Sequence, residues 1–251
     1  PLCFATYGAA AASIRTEVEE VRLAFGRALR AVHLTDIHAG LYMTREHLRR
    51  YAELVNRLEP DLVLLTGDYI SNSMSFLPCM EEIARVRSRH GIFATLGNHE
   101  HWNGDARQVA AAFRRWGICL LQNEHRLVAT PGGPVAVAGV DDLEAGTPDL
   151  AAALRGLPRG LPTILLSHRP EIFPLAADRG VPLTLAGHWH GGQIKLPVLG
   201  LDVSIAHLIS RYPEGLYRRA ASHLYVSRGI GTTGPPIRLN APPEVVLFRL
   251  T

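Results

Sequence analysis

The feature that most restricts the fold of this chain is a recurring unit. A short, apolar, β-rich run breaks off at Asp, Asn or His, and a helical stretch leads to the next run. Residues 31–35 (AVHLT) stop at Asp36-Ile37-His38, and residues 62–66 (LVLLT) run into Gly67-Asp68. Residues 92–96 (IFATL) deliver Gly97-Asn98-His99-Glu100, and residues 163–167 (TILLS) end at His168. The run 181–186 (VPLTLA) leads to Gly187-His188-Trp189-His190-Gly191-Gly192-Gln193. Between them, Thr44 is placed to cap a helix over 45–58, whose Leu48, Ala52, Val55 and Leu58 recur at helical spacing before Pro60 stops it. Further helices are expected over 76–89, 105–116, 148–155 and 170–178, and further strands over 16–23, 118–121 and 134–140. Such alternation predicts an α/β architecture with largely buried sheets, and with polar residues gathered at the C-terminal strand edges.

With 251 residues, 47% of them hydrophobic and 20% charged, the chain is long enough for one large core, and no linker or repeat divides it. Residues 16–251 are therefore read as a single domain. Residues 1–15, apolar and small, read as a tail or the remnant of a removed anchor. No run approaches the ~20 apolar residues that span a bilayer. Net charge is +3, but the basic residues are dispersed, which gives no support to a nucleic-acid groove. Cys3, Cys79 and Cys119 are odd in number and lack metal-type spacing, so neither a disulfide framework nor a zinc knot is indicated.

His188 and His190 are two apart, so on an extended backbone both imidazoles leave from one side. Alone, such a pair reads as well as two solvated loop residues. Here it closes a series: Asp36, His38, Asp68, Asn98, His168, His188 and His190 each follow a buried run. Imidazole, carboxylate and amide oxygen together suit divalent Mn, Fe or Zn, and seven donors exceed what one ion takes.

In order and spacing, Asp36-Ile37-His38, Gly67-Asp68, Gly97-Asn98-His99-Glu100, His168 and Gly187-His188-Trp189-His190 resemble the motif set of the calcineurin-like metallophosphoesterases. The Gly-Gly-Gln that follows, with Ser227-Arg228-Gly229-Ile230-Gly231, is similar to the branch of small bacterial phosphodiesterases that often carry an N-terminal membrane anchor. Trp189 departs from that branch, where Thr is usual. The resemblance implies a four-layer αββα sandwich of two mixed β-sheets flanked by helices, the metallo-dependent phosphatase fold. It implies one ion on Asp36, His38 and His190, a second on Asn98, His168 and His188, and Asp68 as bridge. It implies hydrolysis of a phosphodiester or pyrophosphate by in-line attack of a metal-bridging hydroxide, with His99 as the catalytic acid or transition-state stabiliser. A silent metal-binding scaffold and a nuclease are the alternatives, and the intact His99 argues against the first. Arg228 reads equally as a phosphate fork or as a surface salt bridge. His101 and Trp102, which extend the third motif, read as packing ahead of substrate contact. Residues 194–217 read as an apolar wall suited to a lipid-bearing substrate or a membrane-facing edge, or else as a hairpin over the core.

Overall fold

Fourteen strands organise the described residues, which are 16–102, 105–198 and 200–251 of a computed structural model. The tail reading of residues 1–15, and Cys3 with it, lies outside them. Twelve strands make two six-stranded sheets. The first has the order β1 (Glu17–Leu23), β14 (Glu244–Leu250), β2 (Leu29–Leu34), β3 (Leu62–Thr66), β4 (Ile92–Thr95), β5 (Ile118–Leu120). The second runs β12 (Gly215–Arg219), β13 (Ser222–Val226), β9 (Leu183–Ala186), β8 (Thr163–Leu166), β7 (Val135–Gly139), β6 (Glu124–Val128). Both are mixed, since β14 runs antiparallel to β2 while β2, β3, β4 and β5 are parallel. In the second sheet β12 and β6 are the antiparallel edges of a parallel centre. The α/β expectation and the four-layer sandwich both hold.

The layers follow from which side chains are apolar on which face. Leu29, Ala31, Leu62, Leu64 and Phe248 of the first sheet pack against Val137, Ile164, Leu183 and Leu185 of the second, and all are nearly or fully buried. The opposite face of the first sheet packs Val32, Leu34, Val63 and Leu65 on Leu48, Ala52 and Val55 of the helix Arg45–Arg57. Ala138 and Leu165 meet Leu150, Ile172 and Ala176 outside the second sheet. Each buried Leu, Ile, Val or Phe among them stabilises the fold by roughly 1.5–3 kcal/mol.

The helix expected over 76–89 forms only in part. A tight turn over Met74–Met80 precedes a four-residue helix, Glu81–Ala84. Pro78 lies inside the segment, and proline removes one helical donor and crowds the preceding turn. The segment 170–178 is likewise a short turn, Pro170–Ile172, ahead of the helix Phe173–Asp178. Cys79 and Cys119 are half-buried thiols against the two cores.

His33 of β2 is fully buried, and its Nε2 lies 2.8 Å from Thr66 Oγ1. Burial pushes its pKa down from 6.5 to about 3. A base depressed in the folded state stabilises the fold above its unfolded pKa, and that contribution drains away as pH falls from 6.5 toward 3. His33→Leu is therefore expected to flatten the acid limb of stability. The check is the urea midpoint at pH 7 and at pH 4.5, whose difference should shrink in the variant and would be unchanged if His33 were not involved.

Candidate metal centre

The C-terminal ends of β2, β3 and β4 in one sheet face those of β8 and β9 in the other, and the seven sequence-predicted donors meet there. Glycine is required where the backbones converge. At Gly97 an added Cβ would overlap Asp68 Oδ1 and lie 2.6 Å from the Asp68 nitrogen, and at Gly187 it would overlap Asp36 Oδ2 and Thr35 Oγ1. Five of the seven donors hold a left-handed backbone: Asp36 (φ 50), His38 (φ 49), Asp68 (φ 54), His188 (φ 75) and His190 (φ 53). Non-glycine residues there carry strain of order 1–3 kcal/mol each, and such strain gathers at functional sites. His188 and His190 thus depart from the extended backbone expected of them. The chain turns at both residues, and the two imidazoles diverge into different donor groups.

The donor atoms converge tightly. His38 Nε2 and His190 Nε2 are 3.1 Å apart, and His190 Nε2 lies 3.5 Å from Asp36 Oδ1. His168 Nε2 is 3.1 Å from both Asn98 Oδ1 and His188 Nδ1. Asp68 Oδ2 lies between these groups, 3.6 Å from His38 Nε2, 3.4 Å from His168 Nε2 and 3.8 Å from His99 Nε2. Donor atoms of Asp36, His38 and His190, of His38, Asp68 and His99, and of Asp68, His168 and His188 each fall within 4.8 Å of one another.

The chemistry of this set fits divalent cations. Burial pushes Asp36 up to about 6, whereas Asp68 is held well below the usual carboxylate range because His168 and His38 outweigh its burial. Burial opposes charge on His168 too, but Asp68 and then Asp36 raise it to about 10. Burial, with charged neighbours, pushes His38, His188 and His190 down, so their ring nitrogens are lone-pair donors at neutral pH. Outer partners orient the rings, as ligating histidines require. His168 Nδ1 donates to the Thr66 carbonyl at 2.7 Å, which turns Nε2 inward.

Several contributors have no distinctive sequence signal. Glu100 is buried and accepts the backbone N–H groups of Gly97, Asp68 and Tyr69 at 2.9, 2.9 and 2.7 Å, stapling two donor loops together. It was visible as the last letter of its motif, without a role. Arg169, next to His168, reaches His188 Nε2 at 2.9 Å and Asp142 Oδ2 at 3.3 Å. Arg238 is wholly buried, donates to the carbonyls of Gly231, Arg228 and Ala241, and approaches His190 Nδ1 at 3.3 Å.

The weaker candidates separate. Arg228 lies with its stem beside Gly191 of the donor turn, and its Nη2 is 2.7 Å from Glu244 and 2.9 Å from Glu17, an ion-pair arrangement. His101 Nε2 pairs with the buried Asp141 at 2.8 Å, while Trp102 is largely exposed and sits 5.7 Å from the His99 ring. Trp189, between two donors, lies edge-on to His188 at 4.8 Å and donates to Glu171 at 3.1 Å.

Comparison with known proteins gives this arrangement a context. The calcineurin-like phosphoesterase profile matches residues 29–192. The chain is 33% identical over 223 residues to the uncharacterized metallophosphoesterase YkuE of Bacillus subtilis, a match covering 87% of this chain and 78% of that protein. It is 34% identical over 238 residues to the transmembrane protein with metallophosphoesterase domain of Bos taurus, covering 86% of this chain but 52% of that protein, so the chain spans about half the length of that relative. Among solved structures, the phosphopantetheinyl hydrolase PptH from Mycobacterium tuberculosis superposes with a TM-score of 0.51 at 12% identity, over 84% of this chain and 91% of that one, a likeness of fold.

Proposed function

This chain belongs to the calcineurin-like phosphoesterase family, and from that premise we propose that it is a metal-dependent hydrolase of phosphodiesters or pyrophosphate-linked molecules. The observation that carries the reading is the convergence of imidazole, carboxylate and amide donors between two sheet edges. Asp36, His38 and His190 would hold one ion, Asn98, His168 and His188 another, with Asp68 shared between them. Divalent cations there, manganese before iron or zinc, supply Lewis-acid polarisation of a phosphoryl oxygen and an acidified water.

The protein groups do the rest. Asn98 contributes a neutral oxygen, so the centre keeps net positive charge for an anionic substrate. His99 is partly exposed and its Nδ1 donates to the Ser71 carbonyl at 2.5 Å, which leaves Nε2 as the atom at which a proton can be held or passed to a leaving oxygen. The His99 backbone N–H, donating to Asp68 Oδ1 at 3.0 Å, ties that imidazole to the shared carboxylate. Residues 16–251 act as one metallophosphoesterase domain. Within the substrate class we favour a lipid-bearing ester, supported by the aliphatic side chains exposed just beyond the His190 turn.

Metal-stripped protein reloaded with Mn²⁺ should turn over bis-p-nitrophenyl phosphate, and chelation should abolish that turnover and lower Tm. Two ions bound per chain, with no turnover of this diester, of a phosphomonoester or of a pyrophosphate, would replace the enzyme reading with the scaffold.

A further inference from the structure

The segment after the last donor turn exposes what a water-facing segment would hide. Its hairpin, β10 (Leu196–Val198) and β11 (Leu201–Val203), pairs Leu196 with Val203 and Val198 with Leu201, while Pro197 faces Asp202. Side chains alternate across a strand, so one face is aliphatic throughout and Asp202 lies on the other. That aliphatic face is turned to solvent, with Leu201 69% exposed, so the hairpin does not cover the core. The helix Ile205–Ile209 repeats the pattern: Ala206 is buried, while Ile205, Leu208 and Ile209 share one face at 74%, 77% and 65% exposure. Exposed aliphatic side chains this dense along one short segment mark an interaction site.

The chemistry of the surroundings selects the partner. Residues 193–219 carry four basic and two acidic side chains. Lys195 and Glu214 neutralise each other at 2.5 Å, and Arg219 is paired with Asp178. Arg211, two residues beyond Ile209, and Arg218 are left exposed. The exposed face of the hairpin and helix contains Leu, Ile and Val but none of the aromatic or methionine anchors that protein interfaces concentrate. Aliphatic residues with flanking cations are the composition of segments that lie in the headgroup region of anionic bilayers. No helix among the described residues is long and apolar enough to cross a membrane.

We propose that the faces of Leu196–Val198, Leu201–Val203 and Ile205–Ile209 dock this domain on an anionic lipid bilayer, an inference that deepens the lipid-ester reading and rests on it for its catalytic purpose. The segment is tied to the centre. An added Cβ on Gly192 would overlap Ser204, which opens the helix, and Glu171 accepts from both Trp189 Nε1 (3.1 Å) and Ser210 Oγ (3.3 Å). Docking therefore sets the donor turn at the bilayer surface.

The test is co-sedimentation of the whole chain with vesicles of phosphatidylcholine plus phosphatidylglycerol, and of phosphatidylcholine alone. Wild type should partition onto the anionic vesicles, less so at high salt. Ile205→Glu/Leu208→Glu should partition at least about tenfold more weakly, while Leu127→Glu, at an exposed position on the β6 edge, should match wild type. Circular dichroism and Tm confirm that the variants fold. Residues 1–15 are common to all, so equal partition of wild type and the double variant would overturn the proposal, as would no partition of wild type. Concentration-dependent dimers abolished by the double variant, without vesicle binding, would assign the face to self-association instead. Turnover of bis-p-nitrophenyl phosphate in the same samples without vesicles reads the hydrolase assignment separately: the double variant should keep wild-type turnover, and a wild type that binds vesicles yet hydrolyses neither this diester, a phosphomonoester nor a pyrophosphate would sink the hydrolase reading alone.

Discussion

Asp68→Asn is expected to fold normally and to lose at least about 10³-fold in metal-dependent diester turnover, since even partners one layer out from a metal are worth 10–100-fold. Asp68 divides its work between two oxygens. Oδ1 accepts the His99 backbone N–H, and Oδ2 faces His38, His168 and His99 within 3.8 Å. An asparagine can keep the first bond and so preserve the loop. It then turns an NH₂ toward three imidazoles and removes the anion that would compensate the two cations proposed there. Bound metal per chain, measured by elemental analysis beside kcat/KM, should fall together with the rate. Turnover within tenfold of wild type would show that Asp68 is not the shared ligand.

Gly97→Ala is expected to cost about 3 kcal/mol of stability, near the upper end for overpacking, and so to lower Tm by roughly 6–12 °C for a domain of this size. The reason is crowding from all sides. The new Cβ would overlap the Asp68 carboxylate and lie 2.6 Å from the Asp68 nitrogen and 3.0 Å from His168 Cγ. The Gly97 backbone cannot retreat, because its N–H is held by Glu100 at 2.9 Å and Gly67 packs against it from behind. Gly117→Ala is the control. Its backbone is left-handed (φ 77) but nothing lies within 4 Å of the added carbon, so it should cost only about 1 kcal/mol. Calorimetry of both variants checks the contrast: Gly97 is not among the left-handed glycines, so a loss no larger than that of Gly117→Ala would mean that the collision is relieved by small shifts.

These two residues illustrate what could be read in the chain alone. Asp68 and Gly97 follow buried β runs directly, and burial on both faces leaves such runs nearly continuous in apolar residues, which is easily recognised. The helix Arg45–Arg57 was equally plain from its spacing. Legibility ended where the determinant is a distant partner. β14 closes the chain yet inserts between β1 and β2, a placement that no local pattern encodes. β6 is an edge strand with half-exposed side chains and a weak alternation. Arg238 reaches His190 across 48 residues, and nothing beside it in sequence marks it as a neighbour. The turn at His188 and His190 is hidden for another reason: an extended backbone is the local expectation for residues that hold a left-handed one, among the tightly packed Gly187, Gly191 and Gly192.

The position of the centre between two sheets has a mechanical corollary. His38 is carried by the end of β2 and His190 by the end of β9, strands of different sheets, yet their nitrogens are 3.1 Å apart. The thickness of the greasy filling, from Leu64 and Phe248 across to Ile164 and Leu185, is thus the gauge that spaces the two rims. Interiors this tightly packed transmit small changes of volume. Shaving a methylene from that filling, far from any ligand, alters the bite of the clasp, and with it the size of ion that the clasp prefers to grip.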